Sequence, residues 1–213
     1  MTSPPTAPTA PPRRGRPGHD QAAVLGTAID LFIRQGYDAT SMADLAAALG
    51  LSKSSLYHHV PSKERLLELA LDEALGELTA VVEAATAEGA AGTSYERLRR
   101  VVEDGVRLLV DHQPAVTLLL RVHGNTDVER AALERRRWVD DRLADLVAAA
   151  VAEGALRADL DPGLVSRLLF GMVNSLVEWY DVDGPVDVDQ LAAAVVATAL
   201  DGLAVGAPRS APG

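Results

Sequence analysis

The sequence predicts an all-α protein of about nine helices. Apolar residues make up 48% of the 213 residues but aromatic residues only 4%, so leucine, valine and alanine must fill the interior. That composition favours packed helices over a sheet sandwich. Apolar positions recur at helical spacing in successive segments, and no window alternates as a strand would. Glycine and proline separate these segments by short connections, which is typical of helix bundles.

The first elements follow one another in the N-terminal third. Residues 1–18 are rich in proline, threonine and alanine and then basic, which predicts a disordered arm. Gly36 suits the end of the first helix. Ser41 begins the second helix, with Asp44 three residues later as a capping-box partner, and Gly50 ends it. The helices of this part are predicted at 19–35, 40–49, 52–60 and 63–87.

The C-terminal part continues the same pattern. Gly89 to Gly92 form a loop, and Asp161 with Pro162 supply a cap and a first helical position. Residues 206–213 are predicted to be a disordered tail. The helices of this part are predicted at 94–112, 114–124, 127–153, 162–181 and 187–204.

The charge of −10 is unevenly distributed along the chain. Residues 1–66 carry seven Lys and Arg against five Asp and Glu, whereas the remainder carries 13 against 25. This asymmetry predicts a locally basic surface attached to an acidic body, and such a surface is compatible with a nucleic-acid partner.

Several classes of function lack the residues that they need. The absence of cysteine excludes disulfides, thiol catalysis and cysteine-ligated zinc. His58 and His59 are adjacent on a helix and point in different directions, so we expect no metal site and no cofactor. No apolar run approaches the roughly 18 residues of a membrane span, and no signal peptide is present, so we expect a cytoplasmic protein without a membrane partner.

The segment from Thr40 to His59 has the layout of a helix-turn-helix. Ala46 and Ala47 are small where two steeply crossing helices touch, and Gly50 supplies a positive φ angle between them. The second helix carries short donors, a cation and an aromatic side chain, which suit the phosphates and base edges of a major groove.

Residues 22–68 resemble the N-terminal domain of TetR-family transcriptional regulators. The matching pieces are Ala28 to Phe32, Gly36-Tyr37, Thr40-Ser41-Met42, Leu45-Ala46, Gly50-Leu51-Ser52, Leu56-Tyr57-His58-His59, Ser62-Lys63-Glu64 and Leu66-Leu67. Val60 departs from the family, which usually has phenylalanine there. The resemblance implies a DNA-binding domain over 19–66 and a ligand-binding and dimerisation domain over 67–205.

The resemblance also implies which residues meet DNA. Phosphate contacts are expected from Thr40, Ser41, Met42, His59 and Lys63. The recognition helix is expected to present Ser52, Lys53, Ser54, Ser55, Tyr57 and His58, with Lys53 and Ser54 nearest the bases. Arg14 and Arg16 of the arm are expected to reach an adjacent minor groove. The alternatives are a merely solvated tail and a helix-turn-helix with a purely structural role.

The last two helices carry broad apolar faces that can pair across a two-fold axis. The interface residues expected from this pattern are Leu168, Met172, Val173, Leu176, Val195, Ala199 and Leu203. The alternative is that both helices belong to the core of their own chain.

A second resemblance concerns the effector. The segments 118–121, 134–143, 153–162 and 169–180 are similar to the branch of the family that responds to acyl-CoA thioesters. The ligand-binding residues expected are Leu118, Arg121, Val122, Asn125, Trp138, Phe170, Asn174 and Trp179. The anionic parts of the ligand are expected near Arg121, Asn125, Arg135 or Arg142. The alternative for the arginines of 134–142 is a solvated helix face.

These features predict a homodimeric, sequence-specific DNA-binding regulator. We expect a repressor that a small-molecule effector, such as an acyl-CoA thioester, releases from a palindromic operator in double-stranded DNA. Three alternatives stay open: an efflux-pump repressor that senses lipophilic drugs, a helical-bundle enzyme acting on acyl-CoA, and a ligand-independent interaction or architectural protein. The sequence has no phosphate-cradling glycine loop and no nucleophile elbow, which argues against the enzyme.

Overall fold

The computed structural model describes residues 21–202. Within this range the chain forms ten α-helices, the last of which continues into a π-helical turn over Ala197–Asp201, and the all-α prediction is confirmed. The helices are α1 (Gln21–Gln35), α2 (Met42–Ala48), α3 (Lys53–His59), α4 (Lys63–Thr86), α5 (Ser94–Asp111), α6 (Gln113–Leu119), α7 (Asp127–Ala152), α8 (Pro162–Asn174), α9 (Leu176–Trp179) and α10 (Val188–Val196). The predicted arm over 1–18 and tail over 206–213 lie outside the described residues.

Serine caps and left-handed glycines set the bounds of the first helices. Ser41, Ser52 and Ser62 each accept a hydrogen bond from the backbone N–H three residues later, at the starts of α2, α3 and α4. Gly36 and Gly50 have φ angles of 90° and 64°, which favour glycine, and they turn the chain between α1, α2 and α3.

One apolar core runs through the described part of the chain. Phe32, Leu45, Leu56 and Val60 are buried between the first helices, so valine closes the core at position 60. α4 then passes into the C-terminal part, where it packs on α5, α6 and α7, while α8 packs on α7 and α10 on α5. The predicted domain boundary after residue 66 therefore falls inside α4, a continuous helix.

Two predicted helices have different bounds in the structure. The segment 162–181 is divided at Ser175, whose hydroxyl donates to the Met172 carbonyl at 2.7 Å. α6 ends at Leu119, because the N–H groups of Arg121 and Val122 bond to carbonyls only three residues back and Gly124 then adopts a φ of 86°. No helix within residues 21–202 is both long and apolar enough to cross a membrane.

Candidate nucleic-acid interface and ligand cavity

α3 presents one polar face to solvent. Leu56 is fully buried against the core and so fixes the rotation of the helix. Tyr57 is 46% exposed, and Lys53, Ser54 and His58 are exposed beside it. Four of the predicted recognition residues therefore lie on the same surface, where a hydroxyl, a cation, an imidazole and a phenol can reach phosphates and base edges.

The ends of α3 have distinct roles. The Ser52 hydroxyl accepts a hydrogen bond from the Ser55 N–H at 3.1 Å, so this pair stabilises the start of the helix. His59, the last helical residue, is exposed.

In residues 21–202, no group of three or more His, Asp and Glu side chains is placed to hold a metal ion.

Internal hydrogen bonds occupy the start of α2. Thr40 is only 1% exposed and its hydroxyl donates to the Gly36 carbonyl at 2.7 Å. The Ser41 N–H and hydroxyl donate to the Asp44 carboxylate at 2.8 and 2.6 Å, and these bonds hold the pKa of Asp44 below its usual value. Met42 packs partly buried against the core. The geometry thus argues against the phosphate contact predicted for Thr40, because its side chain does not reach the surface.

Lys63 joins the start of α4 to the loop between α1 and α2. Its ammonium group donates to the Tyr37 carbonyl at 2.8 Å and lies 4.1 Å from the centre of the Tyr37 ring. Burial raises the pKa of Tyr37 to about 12, and the negative charges of Glu64, Asp38 and Glu129 add to the shift. Tyr37 is therefore neutral at physiological pH, and Lys63 contributes to the fold beside any contact that it makes with DNA.

The first helices are electrically neutral as a unit. Residues 21–66 contain four Lys and Arg and four Asp and Glu, so the positive excess of the N-terminal third comes from earlier in the chain. That excess includes Arg14 and Arg16, which lie outside the described residues.

A cavity of about 500 Å³ lies between α4, α5, α6, α7 and α8. Its walls are mostly apolar, with Leu75 and Leu78 from α4, Leu109 from α5, and Leu119 at the end of α6. The volume lies within the range of small-molecule sites, which are apolar with a few polar groups.

Positive charge is concentrated on one side of this cavity. Its lining includes three arginines, Arg136 and Arg137 of α7 and Arg167 of α8. Among the described residues that line the cavity, Asp140 is the one acidic side chain. The Asp140 carboxylate accepts a hydrogen bond from the Ser166 hydroxyl at 2.6 Å. The lining therefore carries a net positive charge, and it suits a ligand with an apolar body and an anionic end.

The structure brings together only some of the predicted ligand residues. Phe170 and Asn174 line the cavity. The predicted residues outside its lining are Leu118, Arg121, Val122, Asn125, Trp138 and Trp179. Trp179, the last residue of α9, is 63% exposed. The apolar walls from α4 and α5 were missed by sequence reasoning, since the packing of the helices decides which part of an apolar face borders an empty space.

The arginines of α7 show how rotation decides the site. Arg135 donates to the Thr79 hydroxyl and the Asp72 carboxylate, both at 2.9 Å, and so ties α7 to α4. Arg142 pairs with Asp145 at 3.0 Å. Neither lines the cavity, whereas Arg136, one residue along, does.

Arg121 connects the two parts of the chain. Its guanidinium donates to the Ile33 carbonyl, 88 residues away, at 2.8 Å. Ile33 lies in the last turn of α1, where backbone carbonyls lack helical partners and attract a positive charge. Arg121 therefore links the end of α6 to the first helix instead of binding in the cavity.

The predicted dimer residues separate into exposed and buried sets. Leu168 is 62% exposed and Met172 is exposed with it. The members buried within their own chain are Val173, Leu176, Val195 and Ala199. Leu203 lies outside the described residues. The buried set fits the core alternative, because side chains already covered by their own chain offer little surface to a partner.

An exposed apolar ridge runs along α8 and α9. It consists of Leu164, Leu168, Met172 and Trp179, all exposed. The first three recur every four residues, so they lie on one side of α8, and Trp179 follows at the end of α9.

Comparison with known proteins identifies the family. Residues 24–70 match the family of bacterial regulatory proteins named for TetR, and residues 91–203 match the tetracyclin repressor-like C-terminal domain. The HTH-type transcriptional repressor KstR2 of Rhodococcus jostii is 32% identical over 96% of this chain and 98% of its own. Such a repressor is not an enzyme, which removes the enzyme alternative.

Two solved structures agree with this assignment. A TetR-family member from Streptomyces coelicolor is 48% identical with a TM-score of 0.77, over 84% of this chain and 90% of its own. AibR in complex with isovaleryl coenzyme A and operator DNA is 26% identical with a TM-score of 0.69, over 84% and 97%. The chain therefore belongs to the TetR family of bacterial regulators, as its helix-turn-helix and C-terminal helices indicated.

Proposed function

We propose that this DNA-binding regulator is a dimeric repressor whose α3 helices read a palindromic operator and whose effector is an acyl-CoA thioester. The observation that carries the effector assignment is the apolar cavity with three arginines in its lining. KstR2, a repressor by name, and AibR, solved with an acyl-CoA and operator DNA, support the same assignment.

The cavity chemistry fits the two ends of such a ligand. The acyl group has an apolar space of about 500 Å³. In this arrangement the phosphates lie along the wall that carries Arg136, Arg137 and Arg167. Arg137 and Arg167 are exposed, so they stand where the cavity meets solvent and can donate pairs of hydrogen bonds to phosphate.

α6 supplies the path from cavity to DNA. Val116 and Leu119 face the cavity, whereas Pro114 and Thr117 face α1 on the other side of the same short helix. A ligand that favours a different position of α6 shifts the population of α1 positions, and with it the placement of α3. Arg121 holds the two helices together at the far end.

Removal of the Arg121 link tests this path. In the absence of effector, we expect Arg121→Ala to bind the operator with an affinity within about threefold of that of the parent, because α3 is unchanged. The effector-induced loss of affinity, typically about 5- to 150-fold in allosteric proteins, is expected to shrink at least threefold. Fluorescence anisotropy on operator DNA with and without effector measures both quantities.

Arg34→Ala is the matched control, since Arg34 lies next to Ile33 and, within residues 21–202, pairs with the exposed Asp30 alone. An Arg121→Ala protein that loses operator binding and effector binding together would show a structural role instead of coupling.

The exposed ridge of α8 and α9 is the proposed dimer interface. In a two-fold interface the same patch meets its own copy, so a charge introduced at Leu168 is buried opposite the partner's ridge. We expect Leu168→Glu to shift the protein from dimer to monomer in sedimentation equilibrium and to abolish tight operator binding.

Val182→Glu is the control for added charge, because Val182 is exposed but lies outside the ridge. If Leu168→Glu left the sedimentation mass at that of the parent, the ridge would not be the interface.

The arm is proposed to provide the positive charge that the described helices lack. Replacing Arg13, Arg14 and Arg16 together by alanine is expected to weaken operator binding and to flatten its salt dependence. With a slope of about −0.9 per neutralised phosphate, the loss is up to about 2.7 per chain. Operator titrations between about 50 and 200 mM salt measure the slope. An unchanged slope would leave the arm without contact to DNA.

Titration of effector candidates onto the operator complex tests the function directly. DNA from upstream of the gene itself is labelled, and isovaleryl-CoA and other acyl-CoA thioesters are added at fixed salt. We expect release by an acyl-CoA and none by the matching free acid, since only the thioester offers phosphates to the arginines. Release by the free acid alone, or by lipophilic drugs alone, would contradict the acyl-CoA assignment without changing the family assignment.

A further inference from the structure

A second hollow lies outside the effector cavity, on the opposite side of α6. It is a groove of about 560 Å³ between α1, α4 and α6. Leu25, Ile29 and Ile33 of α1 line it along one face, and Pro114 of α6 faces them. The groove is thus an apolar trough at the junction of the DNA-binding helices and the C-terminal part.

The charge of this groove is opposite to that of the effector cavity. Asp30 of α1 and Glu73 of α4 line it, and its lining within the described residues contains neither lysine nor arginine. Asp30 pairs with Arg34 on the exposed surface of α1, a contact of the kind that contributes little. Glu73 faces His112 at 3.4 Å. Two carboxylates beside an apolar floor favour a ligand with a positive charge on an apolar body.

A glycine in the middle of α1 keeps the groove open. Gly26 lines the groove, and a Cβ built on it meets nothing within 4 Å. A glycine within a helix lowers stability relative to alanine, and close packing does not require one here. The open space above Gly26 is therefore a feature of the groove that packing among residues 21–202 does not explain.

We propose that this groove is a second ligand site, which takes a small amphiphile with a positively charged group. The apolar body lies on Leu25, Ile29 and Pro114, and the cation lies near Asp30 and Glu73. The ligand contacts α1 and α6 at once, so its binding is coupled to operator binding through the position of α1, and each changes the affinity of the other by the same factor.

Tetraphenylphosphonium and tetraphenylborate are a matched pair of probes, because they share shape and size and differ in the sign of charge. Calorimetric titration of the Gly105→Leu chain, in which leucine fills the arginine-lined cavity, is expected to show one saturable phosphonium site per chain and at least tenfold weaker binding of the borate. The double variant Asp30→Asn, Glu73→Gln is expected to weaken phosphonium binding at least tenfold, since it removes both charges and keeps the shapes.

Two glycine variants assign the site to the groove. Gly26→Leu fills the groove and is expected to abolish phosphonium binding, whereas Gly105→Leu, which fills the effector cavity, leaves it within twofold. Gly26→Ala shows that α1 tolerates a side chain here, and a rise of about 2–4 °C in melting temperature is expected.

Each of the following results would overturn the proposal: no saturable binding up to millimolar probe, equal affinity for the borate in Gly105→Leu, loss of phosphonium binding in Gly105→Leu but not in Gly26→Leu, or unchanged binding in the charge variant. A more than tenfold gain when Arg13, Arg14 and Arg16 are replaced by alanine would assign the groove to the arm of the chain itself, and would also overturn it.

Discussion

Alanine in place of Tyr57 is expected to weaken operator binding at least about 30-fold without loss of fold. Tyr57 is exposed on α3 beside Lys53, whereas the core contact of that turn is made by its neighbour Leu56. Loss of one contact in the major groove of DNA costs about 1–3 kcal/mol, and the proposed dimer would lose two such contacts. Lys53→Ala is expected to act in the same direction, since it removes a cation from the same surface.

Anisotropy titrations on specific and scrambled DNA separate the two roles. Replacing a residue that contacts bases weakens binding to the operator only. Replacing a residue that contacts phosphates weakens binding to the operator and to the scrambled duplex alike. Tyr57→Phe distinguishes the hydroxyl from the ring. If Tyr57→Ala and Lys53→Ala both bound the operator normally, with unchanged melting temperature, α3 would not be the helix that enters the major groove of DNA.

Gly105→Leu is expected to convert the protein into a repressor that no longer responds to its effector. Gly105 lines the cavity from α5, and a Cβ there comes to 3.8 Å from the Leu78 side chain, an ordinary contact. The rest of the leucine side chain then occupies space that the acyl group needs. We expect at least tenfold weaker effector binding with operator binding within threefold of the parent.

Effector affinity is measured by calorimetry and operator release by anisotropy on the same preparations. Gly105→Ala is the graded control, because it adds one methyl group and leaves most of the space open. If Gly105→Leu bound the effector as the parent does and still left DNA, the effector would bind elsewhere than in this cavity.

The helices were predictable where local chemistry decides them. The Ser41 and Asp44 pair indicated a capping box from sequence, and the structure has both of its hydrogen bonds. Gly36 and Gly50 were placed at turns because few other residues accept a positive φ, and both have one. The break at Ser175 was not predictable, since an uninterrupted apolar pattern on both sides of it reads as one helix.

The two candidate sites also differed in how far they could be predicted from sequence. α3 could be oriented from sequence, because Leu56 is apolar among polar neighbours and had to face inward. The cavity could not, since Arg135 and Arg136 have the same chemistry and only the packing of α7 places one against α4 and the other in the lining.

By itself the sequence determined the helical class, the helix-turn-helix and the family, all of which depend on residue types at short spacing. Tertiary structure alone decided that Arg121 grips the end of α1, that Trp179 lies on an exposed ridge, and that the effector cavity and the acidic groove share α6 as a wall. These arrangements join residues far apart in the chain, and their geometry follows from how whole helices pack, which no local pattern of side chains encodes.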